Sequence, residues 1–453
     1  MAAGGGKTRS IEAVRCPCCK AALDIRTPEI VCPNCRQNYP RLGNIPILFR
    51  DPQKYLQSCN RQLALLEQQA VRTVRSIEEQ LQTPGLLPAT KERCRAMIDA
   101  VRGQTADIRA VLHPLLGDAP PEVLPEETPA PLQYIHYLYR DWGWPSDANG
   151  ENEQALAALV DVAAGAAFGS ILVLGAGGCR LAYDLHRRDP DAETIVVDID
   201  PFLFATAQQV IRGGSLTMKE ANSEINDQGS VVKEWLLKAP NGAIEEDRFH
   251  FILANGLEPP FAPETFDTVV TPWFIDLVPS DLRNFISEVR RLLKPGGRWL
   301  NLGPLHYRPE VPLTRRFARE EVFDLAVRAG FRVDQWSAGS MPYLVSKLNG
   351  RGKVEWVLAF AATKLDAIPS GGAIPAWLLF RHIPIPVFPG QSMFSTEDPA
   401  EQIVLSVIDG HHTLDEIAAI LALKAGESGL SMDQFREIVR RCLVEIHPDC
   451  SGT

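Results

Sequence analysis

The stretch that decides the fold is ILVLGAGGCRLAYDLHRRDPDAETIVVDID, residues 171–200. Its apolar start predicts a buried strand, GAGG predicts a tight turn, and the residues after the turn predict a helix. A second apolar run, TIVV, ends in acidic residues. This order is typical of an open α/β sheet that binds a nucleoside. The glycines let the backbone approach the ligand, and the acid after the second strand accepts hydrogen bonds from ribose hydroxyls.

The turn itself leaves two kinds of nucleoside open. A dinucleotide site requires Gly or Ala in the sixth position of the glycine motif, where the helix begins and faces a pyrophosphate. This chain has Arg180 in that position. S-adenosylmethionine has no phosphate, so its turn has no such requirement. A nicotinamide site, an adenosylmethionine site and a turn without a ligand all remain open here, with Asp198 best placed for the ribose and Asp200 just beyond.

Composition limits the function classes. A chain of 453 residues exceeds one compact core, so we expect two to four domains. The net charge of −10 argues against DNA or structured RNA as the main substrate, because phosphate backbones require a basic surface. No apolar run is long enough to span a bilayer, and the first residues contain no signal-peptide core. We therefore expect a cytoplasmic protein with no membrane partner.

The ten cysteines are concentrated near the N-terminus. Cys16 and Cys19 form one Cys-x2-Cys pair, and Cys32 and Cys35 form a second. Four thiolates at this spacing satisfy tetrahedral Zn²⁺, and a metal replaces the core that so small a unit lacks. Since the protein fills all four coordination positions, the spacing predicts a structural zinc site.

The same segment resembles the small zinc-ribbon family whose members activate tRNA, rRNA and protein methyltransferases as a partner subunit. The resemblance covers about fifty residues and depends on CPCCK, CPNC and the closing YPRLGNIPILF. It implies that residues 1–50 support a methyltransferase and do not form a second active site.

The rest of the chain predicts further units. Residues 54–116 predict two long helices in a hairpin, followed by an acidic, proline-rich linker. Four later apolar segments predict strands of one doubly wound α/β domain: FHFILAN, FDTVVTPWFID, RWLNLGPL and VEWVLAFAAT. No strand is predicted between RWLNLGPL and VEWVLAFAAT. The sequence KPGG at 294–297 predicts a turn. Asp267 is interpreted as a structural acid at a strand start.

The predicted boundaries follow from these segments. They are a zinc ribbon at 1–50, a helical hairpin with its linker at 51–130, a catalytic domain at 131–365, a proline-rich linker at 366–390 and a small C-terminal unit at 391–453.

The C-terminal unit is expected to contain one helix within IDGHHTLDEIAAIL and another from Met432 to Glu445. Thr413 is the predicted N-cap, with Glu416 in the capping-box position. The pattern DGxxTxxEIA resembles winged-helix peptide chaperones of the PQQ-biosynthesis type, which implies a peptide partner. A helix-turn-helix packing module is the alternative.

The middle of the chain resembles carnosine N-methyltransferase, a class I methyltransferase family that methylates an imidazole nitrogen of a histidine-containing dipeptide. The resemblance runs from about residue 50 to 365. Four motifs carry it in one consistent order: RDW at 140–142, LGAGGCRLA at 174–182, WFID at 273–276 and LKPGGRWLNLGPLHY at 293–307.

By position, the resemblance implies an adenosylmethionine site and an acceptor site. The cofactor residues would be Gly175, Ala176, Gly177, Arg180, Asp198, Ile199, Asn255 and Gly256, with Arg180 at the methionine carboxylate. The catalytic residues would be Asp276, His306 and Tyr307, and the substrate contacts Trp142 and Arg308. Asp276 would accept the imidazole N–H, so that the other ring nitrogen faces the methyl group.

The chain departs from the family where the acceptor is recognised. The family has Leu-Tyr-His after GPL, whereas this chain has His306-Tyr307-Arg308. The family's tyrosines before the final strand are replaced by Gly352-Lys353-Val354. Arg308 would pair with a carboxylate of the acceptor or lie in solvent. The resemblance and its departures therefore predict an S-adenosylmethionine-dependent N-methyltransferase whose favoured acceptor is an imidazole nitrogen of a histidine-containing small molecule or peptide. A natural-product N- or O-methyltransferase and a non-catalytic scaffold are the alternatives.

Overall fold

A computed structural model of the chain describes residues 10–117, 134–145, 150–222, 231–245, 247–278, 282–309, 311–346, 352–366, 377, 384–388, 391, 396–426 and 429–446. Both predicted linkers fall largely outside the described residues. No helix within these ranges is long and apolar enough to cross a bilayer.

The described residues contain strands in three sheets. The strands are β1 Ile30–Val31, β2 Asn38–Tyr39, β3 Arg41–Leu42, β4 Ile45–Leu48, β5 Ile171–Leu174, β6 Thr194–Asp198, β7 Leu216–Ala221, β8 Val232–Leu237, β9 Phe249–Ala254, β10 Phe266–Pro272, β11 Leu293–Gly303, β12 Phe331–Tyr343 and β13 Lys353–Lys364. The central sheet has nine strands in the order β12-β13-β11-β10-β5-β6-β9-β4-β3. The pairs β1–β2 and β7–β8 form two small antiparallel sheets.

The middle of the central sheet is parallel, from β11 through β10, β5, β6 and β9 to β4. The strand β13 is antiparallel to both β11 and β12. The strand order reverses between β5 and β10. In open α/β sheets a ligand binds beyond the carboxyl ends of the strands at such a reversal. The topology therefore confirms the predicted doubly wound α/β fold and places the ligand cleft after β5, β6 and β10.

Helices accompany the sheet. They are α1 Pro52–Gln80, α2 Pro88–Leu116, α3 Ile135–Leu138, α4 Glu151–Ala163, α5 Arg180–Arg188, α6 Pro201–Ile211, α7 Leu282–Leu292 and α8 Arg319–Arg328. A π-helical turn, Tyr139–Gly143, extends α3. The helices α1 and α2 pack as the predicted hairpin, with Arg109 and Glu67 paired at 2.5 Å between them.

Side chains alternate between two apolar cores, one on each face of the central sheet. Val173 and Val196 belong to the core on the α4, α5 and α6 face, whereas Leu172 and Val197 belong to the core on the α7 and α8 face. Near-continuous apolar runs such as ILVL and TIVV suit strands that are buried on both faces.

The N-terminal segment continues the central sheet. The strand β4 pairs in parallel with β9, with Ile47 opposite Leu253 and Leu48 opposite Ala254. All four residues of β4 are buried. The segment predicted to complete a zinc ribbon is thus also a strand of the central sheet.

Two details differ from the sequence prediction. KPGG lies inside β11 and not in a turn before it, because the four residues 294–297 of β11 bulge opposite Asp267 of β10 and Gly296 takes a φ of +69°. The thirteen-residue strand β12 was not predicted. Its exposed face is polar, and Gly339 and Pro342 interrupt the apolar pattern. The prediction for Asp267 is confirmed, since its carboxylate accepts from Ser170 Oγ at 2.7 Å and Lys294 Nζ at 2.9 Å.

The C-terminal unit has a core of its own. Its helices are α9 Pro399–Val407, α10 Leu414–Ala425 and α11 Met432–Ile446. The predicted capping box at Thr413 and Glu416 is confirmed, so the middle helix begins at 414 and the preceding IDGHH is not helical. The resemblance to a peptide chaperone stays a prediction.

Candidate active site

The glycine turn has the backbone that its sequence predicts. Gly175 and Gly177 have φ angles of +71° and +54°, in the left-handed region that glycine adopts without steric cost. A Cβ at Gly175 would collide with the Phe274 ring, whereas a Cβ at Gly177 would meet open space. The turn therefore presents bare backbone to the cleft at Gly177 and packs tightly below it at Gly175.

Asp198 binds the turn to the end of β6. Its carboxylate accepts the N–H of Gly177 at 2.8 Å, of Ile199 at 2.7 Å and of Asp200 at 2.9 Å. Burial raises the pKa of this carboxyl group. Asp200 instead caps α6, because its carboxylate accepts the N–H groups of Phe202 and Leu203. Of the two acids, Asp198 is the one placed beside the glycine backbone.

The residue after Asp198 is an apolar side chain held at the surface. Ile199 is 61% exposed, in contrast to the buried residues of β6 before it. Its carbonyl oxygen accepts a hydrogen bond from Tyr55 Oη at 3.0 Å. The Tyr55 ring stacks on Phe49 with centroids 4.0 Å apart. The start of α1 therefore supports the loop after β6.

Arg180 is buried among partners of its own. Its Nε donates to Asp184 at 2.8 Å, its Nη1 donates to the Asp141 carbonyl at 2.8 Å, and its Nη2 lies 3.5 Å from Glu153. Its guanidinium group also lies 5.9 Å from the centre of the Trp142 ring. These contacts fix α5 against the π-helical turn. The predicted contact of Arg180 with a methionine carboxylate stays a prediction.

Trp142 lies behind the glycine turn. It is 4% exposed, and its indole N–H donates to the Gly178 carbonyl at 2.8 Å. The carboxylate of Asp141 lies so close to Gly178 that a Cβ there would collide with it. The RDW motif therefore supports the turn from below, and a contact between Trp142 and an acceptor stays a prediction.

The loop after β9 closes the other side of the cleft. Asn255 is exposed, and its Oδ1 accepts the N–H of Leu257 at 3.0 Å. Gly256 is buried against the Phe274 ring, which also covers Gly175. Phe274 therefore joins the loops after β5, β9 and β10 at one place. The structure brings the predicted cofactor residues together around these loops.

Asp276 follows β10 in a single 3-10 turn, Ile275–Leu277. The side chain is 5% exposed, and its Oδ2 accepts the backbone N–H of His306 at 3.3 Å. Burial raises the pKa of Asp276 to about 6. Asp276 follows Phe274, the residue whose ring covers Gly175, by two positions. It can accept an N–H from a molecule in the cleft when it is ionised.

The three residues after Leu305 have different surroundings. His306 is exposed, and its Nδ1 lies 3.4 Å from Glu355 Oε2. Tyr307 is buried, and its hydroxyl donates to the Phe317 carbonyl at 3.2 Å. Arg308 is exposed and makes no side-chain hydrogen bond within the described ranges. Tyr307 is thus placed to support this segment, while His306 and Arg308 lie at the surface.

Sequence reasoning missed several residues of the cleft. Tyr55, Tyr343 and Glu355 come from three separate segments, and no spacing in the sequence connects them. Trp273 and Phe274 belong to the quoted WFID motif, and two aromatic residues directly after a buried strand were the available signal.

The predicted metal ligands converge. The ligand sulfur atoms of Cys16, Cys19, Cys32 and Cys35 all lie within 4.8 Å of one another, with Cys16–Cys35 at 3.6 Å and Cys19–Cys32 at 3.5 Å. Tetrahedral zinc with Zn–S bonds of about 2.3 Å separates its sulfurs by about 3.8 Å. The hydrogen bond to the Ala21 backbone lowers the pKa of Cys19 to about 6. The four thiols therefore fit a zinc ion.

Comparison with known proteins gives partial matches. Residues 238–347 match the family model described as carnosine N-methyltransferase. The carnosine N-methyltransferase of Rattus norvegicus is 34% identical over 73 residues, 16% of this chain and 18% of the rat protein. The carnosine N-methyltransferase unmet of Drosophila melanogaster is 30% identical over 156 residues, 30% of this chain and 31% of the fly protein. The chain thus spans less than a third of the length of these curated relatives.

A solved SAM-dependent methyltransferase from Aquifex aeolicus has a TM-score of 0.30 and 13% identity, covering 50% of this chain and 92% of that one.

The matched family segment contains most of the residues that the resemblance assigns to the acceptor. It includes Asp276 and the residues from His306 to Arg308, and it ends before Glu355. The glycine turn at Gly175 lies outside it. The predicted resemblance to carnosine N-methyltransferases is therefore confirmed for residues 238–347. The zinc-ribbon and peptide-chaperone resemblances stay predictions.

Proposed function

We propose that the protein is an S-adenosylmethionine-dependent N-methyltransferase whose acceptor is an imidazole of a small molecule or peptide. One observation carries this proposal. Phe274 lies against Gly175 and Gly256, and the 3-10 turn that directly follows Phe274 carries the buried carboxyl group of Asp276. The family match over residues 238–347 supports the same assignment.

The residues of the cleft fit adenosylmethionine. The bare backbone at Gly177 faces open space, Asp198 offers carboxylate oxygens for the ribose, and Ile199 offers an exposed apolar surface for the adenine. When bound, adenosylmethionine supplies a methyl group made electrophilic by its sulfonium. A pyrophosphate would instead face the helix start at Arg180, whose guanidinium group is held by Asp184 and the Asp141 carbonyl.

Asp276 supplies the acceptor chemistry. A neutral imidazole has one N–H and one lone pair. If the Asp276 carboxylate accepts the N–H, the lone pair of the other nitrogen is directed away from Asp276 and towards the cofactor. The carboxylate also stabilises the positive charge that the ring acquires. Asp276 lies within residues 238–347, the segment that matches the carnosine N-methyltransferase family model, which supports this role.

The experiment is a calorimetric titration with adenosylmethionine, followed by transfer of labelled methyl to fractionated cell extract with the product identified by mass spectrometry. We expect tight binding and a methylated imidazole. Asp198→Ala should abolish binding, because the ribose and the Gly177 N–H both lose their acceptor. Asp191→Ala is the matched control, since Asp191 is exposed and precedes β6 at its opposite end. Failure of the wild type to bind would favour a non-catalytic scaffold.

We also propose that Cys16, Cys19, Cys32 and Cys35 hold one structural zinc ion. The convergence of the four sulfur atoms supports it. The Tyr39 hydroxyl lies 3.0 Å from Cys16 Sγ. Zinc ligands commonly have such hydrogen-bonding partners, so this contact also supports the proposal.

A further inference from the structure

The first residue of α4, Glu151, carries a carboxylate that bridges two distant parts of the chain. Its Oε1 accepts a hydrogen bond from Arg140 Nη1 at 2.9 Å, and its Oε2 accepts the backbone N–H of Leu344 at 2.6 Å. Arg140 belongs to the π-helical turn, and Leu344 directly follows β12. The side chain of Glu151 is only 7% exposed. One buried carboxylate therefore joins the π-helical turn to the end of a strand that comes much later in the chain.

On one side of this bridge lies the support of the glycine turn. Arg140 Nε donates to the carboxylate of Asp141 at 2.6 Å. The same carboxylate lies against Gly178, and the indole N–H of Trp142 donates to the Gly178 carbonyl. Arg140 therefore holds the side chain that packs against the turn proposed to bind adenosylmethionine. A shift of this turn reaches Glu151 through two side chains in contact.

On the other side of the bridge lies the end of β12. As the last strand of the described sheet, β12 is hydrogen-bonded along one side only, to β13. Leu344 has a φ of +51°, in the left-handed region, so the hydrogen bond to Glu151 stabilises a backbone conformation that is unfavourable by itself. The hydroxyl groups of Tyr137 and Tyr343 lie 2.6 Å apart and form a second contact between the same segments.

The strand pair β12–β13 also reaches the surroundings of Asp276. Glu355 lies on β13 opposite Met341 of β12, and its Oε2 is 3.4 Å from His306 Nδ1. The backbone N–H of His306 donates to Asp276. This end of the strand pair therefore contacts the segment that is hydrogen-bonded to Asp276.

We propose that Glu151 is a positioning residue that couples cofactor binding at the glycine turn to the end of β12. An ionised carboxylate accepts hydrogen bonds with both oxygen atoms at once, so Glu151 holds Arg140 and the Leu344 backbone in one arrangement. When the cofactor fixes the glycine turn, the end of the β12–β13 pair opens less often, and the surroundings of Asp276 become ordered. The inference rests on the proposed function, because the ligand that acts on the turn is adenosylmethionine.

The test measures hydrogen exchange at the end of β12 with and without S-adenosylhomocysteine. Exchange of the backbone amides of residues 337–345 is followed by mass spectrometry at saturating ligand, so that a change in affinity does not enter the comparison. Calorimetry establishes that each protein binds the ligand. In the wild type we expect the ligand to slow this exchange about tenfold, a common strength of coupling between two sites.

Glu151→Gln keeps the shape of the side chain but has one acceptor oxygen, so either Arg140 or the Leu344 N–H loses its partner. The variant should still bind S-adenosylhomocysteine, while the ratio of the exchange rates without and with ligand falls from about ten to below about three. A purely structural role would speed exchange equally in both states and leave this ratio unchanged. Asp161→Asn is the matched control, because it removes one charge from an exposed position near the other end of α4 and should keep the wild-type ratio.

Glu151→Asp is a second variant that keeps the charge beside Arg140. Its side chain is one methylene shorter and cannot reach both partners, so the ratio should fall as it does in Glu151→Gln. The result then does not depend on the folding of one variant. A wild-type ratio close to one, or an unchanged ratio in either folded variant, would overturn the inference while the proposed function stands. Failure of the wild type to bind S-adenosylhomocysteine would overturn both.

Discussion

At the scale of single residues, residue type and motif position identified candidate site residues, but the neighbours of each residue in the structure determine its contacts. Asp198 ends β6 and accepts the Gly177 N–H, whereas Asp276 follows β10 and accepts the His306 N–H. Arg180 also lies where the motif places it, yet its guanidinium group binds Asp184 and the Asp141 carbonyl. A pattern gives a residue's place in an element, and only the packed structure gives its partners.

Asp276→Asn is predicted to keep cofactor affinity and to lose turnover by roughly 10²- to 10⁴-fold, the range for a positioned acid–base group. In the wild type, kcat should fall as the pH drops through about 6, because Asp276 then protonates and no longer accepts the N–H. The variant should lose the contribution of Asp276 to this limb, since an amide does not titrate, and keep only the limb caused by protonation of the acceptor imidazole, whose reference pKa is about 6.5. The measurement is kcat against pH at saturating acceptor. Near-normal turnover of Asp276→Asn would remove this residue from the mechanism.

At the scale of elements, segments that precede the predicted catalytic domain contact the loops of the candidate site. The strand β4 extends the sheet next to β9, and Tyr55 at the start of α1 binds the Ile199 carbonyl. Arg50 pairs with Glu258 at 3.1 Å in the loop after β9. The segment from β4 to the start of α1 therefore contacts the loops after β6 and β9, which are predicted to flank the nucleoside.

Tyr55→Phe tests this contact. The loss of one hydrogen bond to the Ile199 carbonyl should raise the dissociation constant for adenosylmethionine about threefold to tenfold, with kcat unchanged. Tyr139→Phe is the matched control. The Tyr139 hydroxyl donates to the Lys219 carbonyl at 2.7 Å, where α2 contacts the β7–β8 hairpin. Equal affinity in wild type and Tyr55→Phe, measured by calorimetry, would contradict the role of Tyr55.

Metal removal tests the cysteine cluster. The purified protein should hold one zinc per chain by elemental mass spectrometry, and a strong chelator should lower its melting temperature by at least about 5 °C, because β4 belongs to the central sheet. Cys32→Ser should lose the metal. Cys94→Ser should retain it, since Cys94 is a half-buried thiol on α2 outside the cluster. Full zinc content in Cys32→Ser would refute the ligand set.

At the scale of the whole molecule, the chain has separate cores. Two cores flank the central sheet and share its strands, whereas Ile417, Leu421 and Val439 belong to a third core in the C-terminal unit. A core that shares no strand with the sheet can unfold by itself.

Calorimetry should therefore show two unfolding transitions. Ile417→Ala should lower the midpoint of the transition of the C-terminal unit, because truncating a buried isoleucine to alanine costs about 2–5 kcal/mol. Ile286 is a fully buried isoleucine on α7, and Ile286→Ala should lower the midpoint of the transition of the central sheet. A single transition shifted by both substitutions would show that the cores unfold together.

The sequence by itself determined the elements that depend on local pattern. Apolar runs, glycine turns and capping residues predicted β5, β6, β9 and β10, the helical hairpin and the capped helix α10. The Cys-x2-Cys spacing predicted which thiols converge. These features depend on residues close together in the chain, where periodicity and spacing carry the information.

Only the tertiary structure decided how distant segments meet. The pairing of β4 with β9, the Phe274 ring over two glycines and the contact of Glu355 with His306 join residues that are tens to hundreds of positions apart. The polar strand β12 depends on pairing with β13 for its conformation. Such contacts arise from packing and register, which no single segment specifies, so the acceptor side of the cleft could not be predicted from motifs alone.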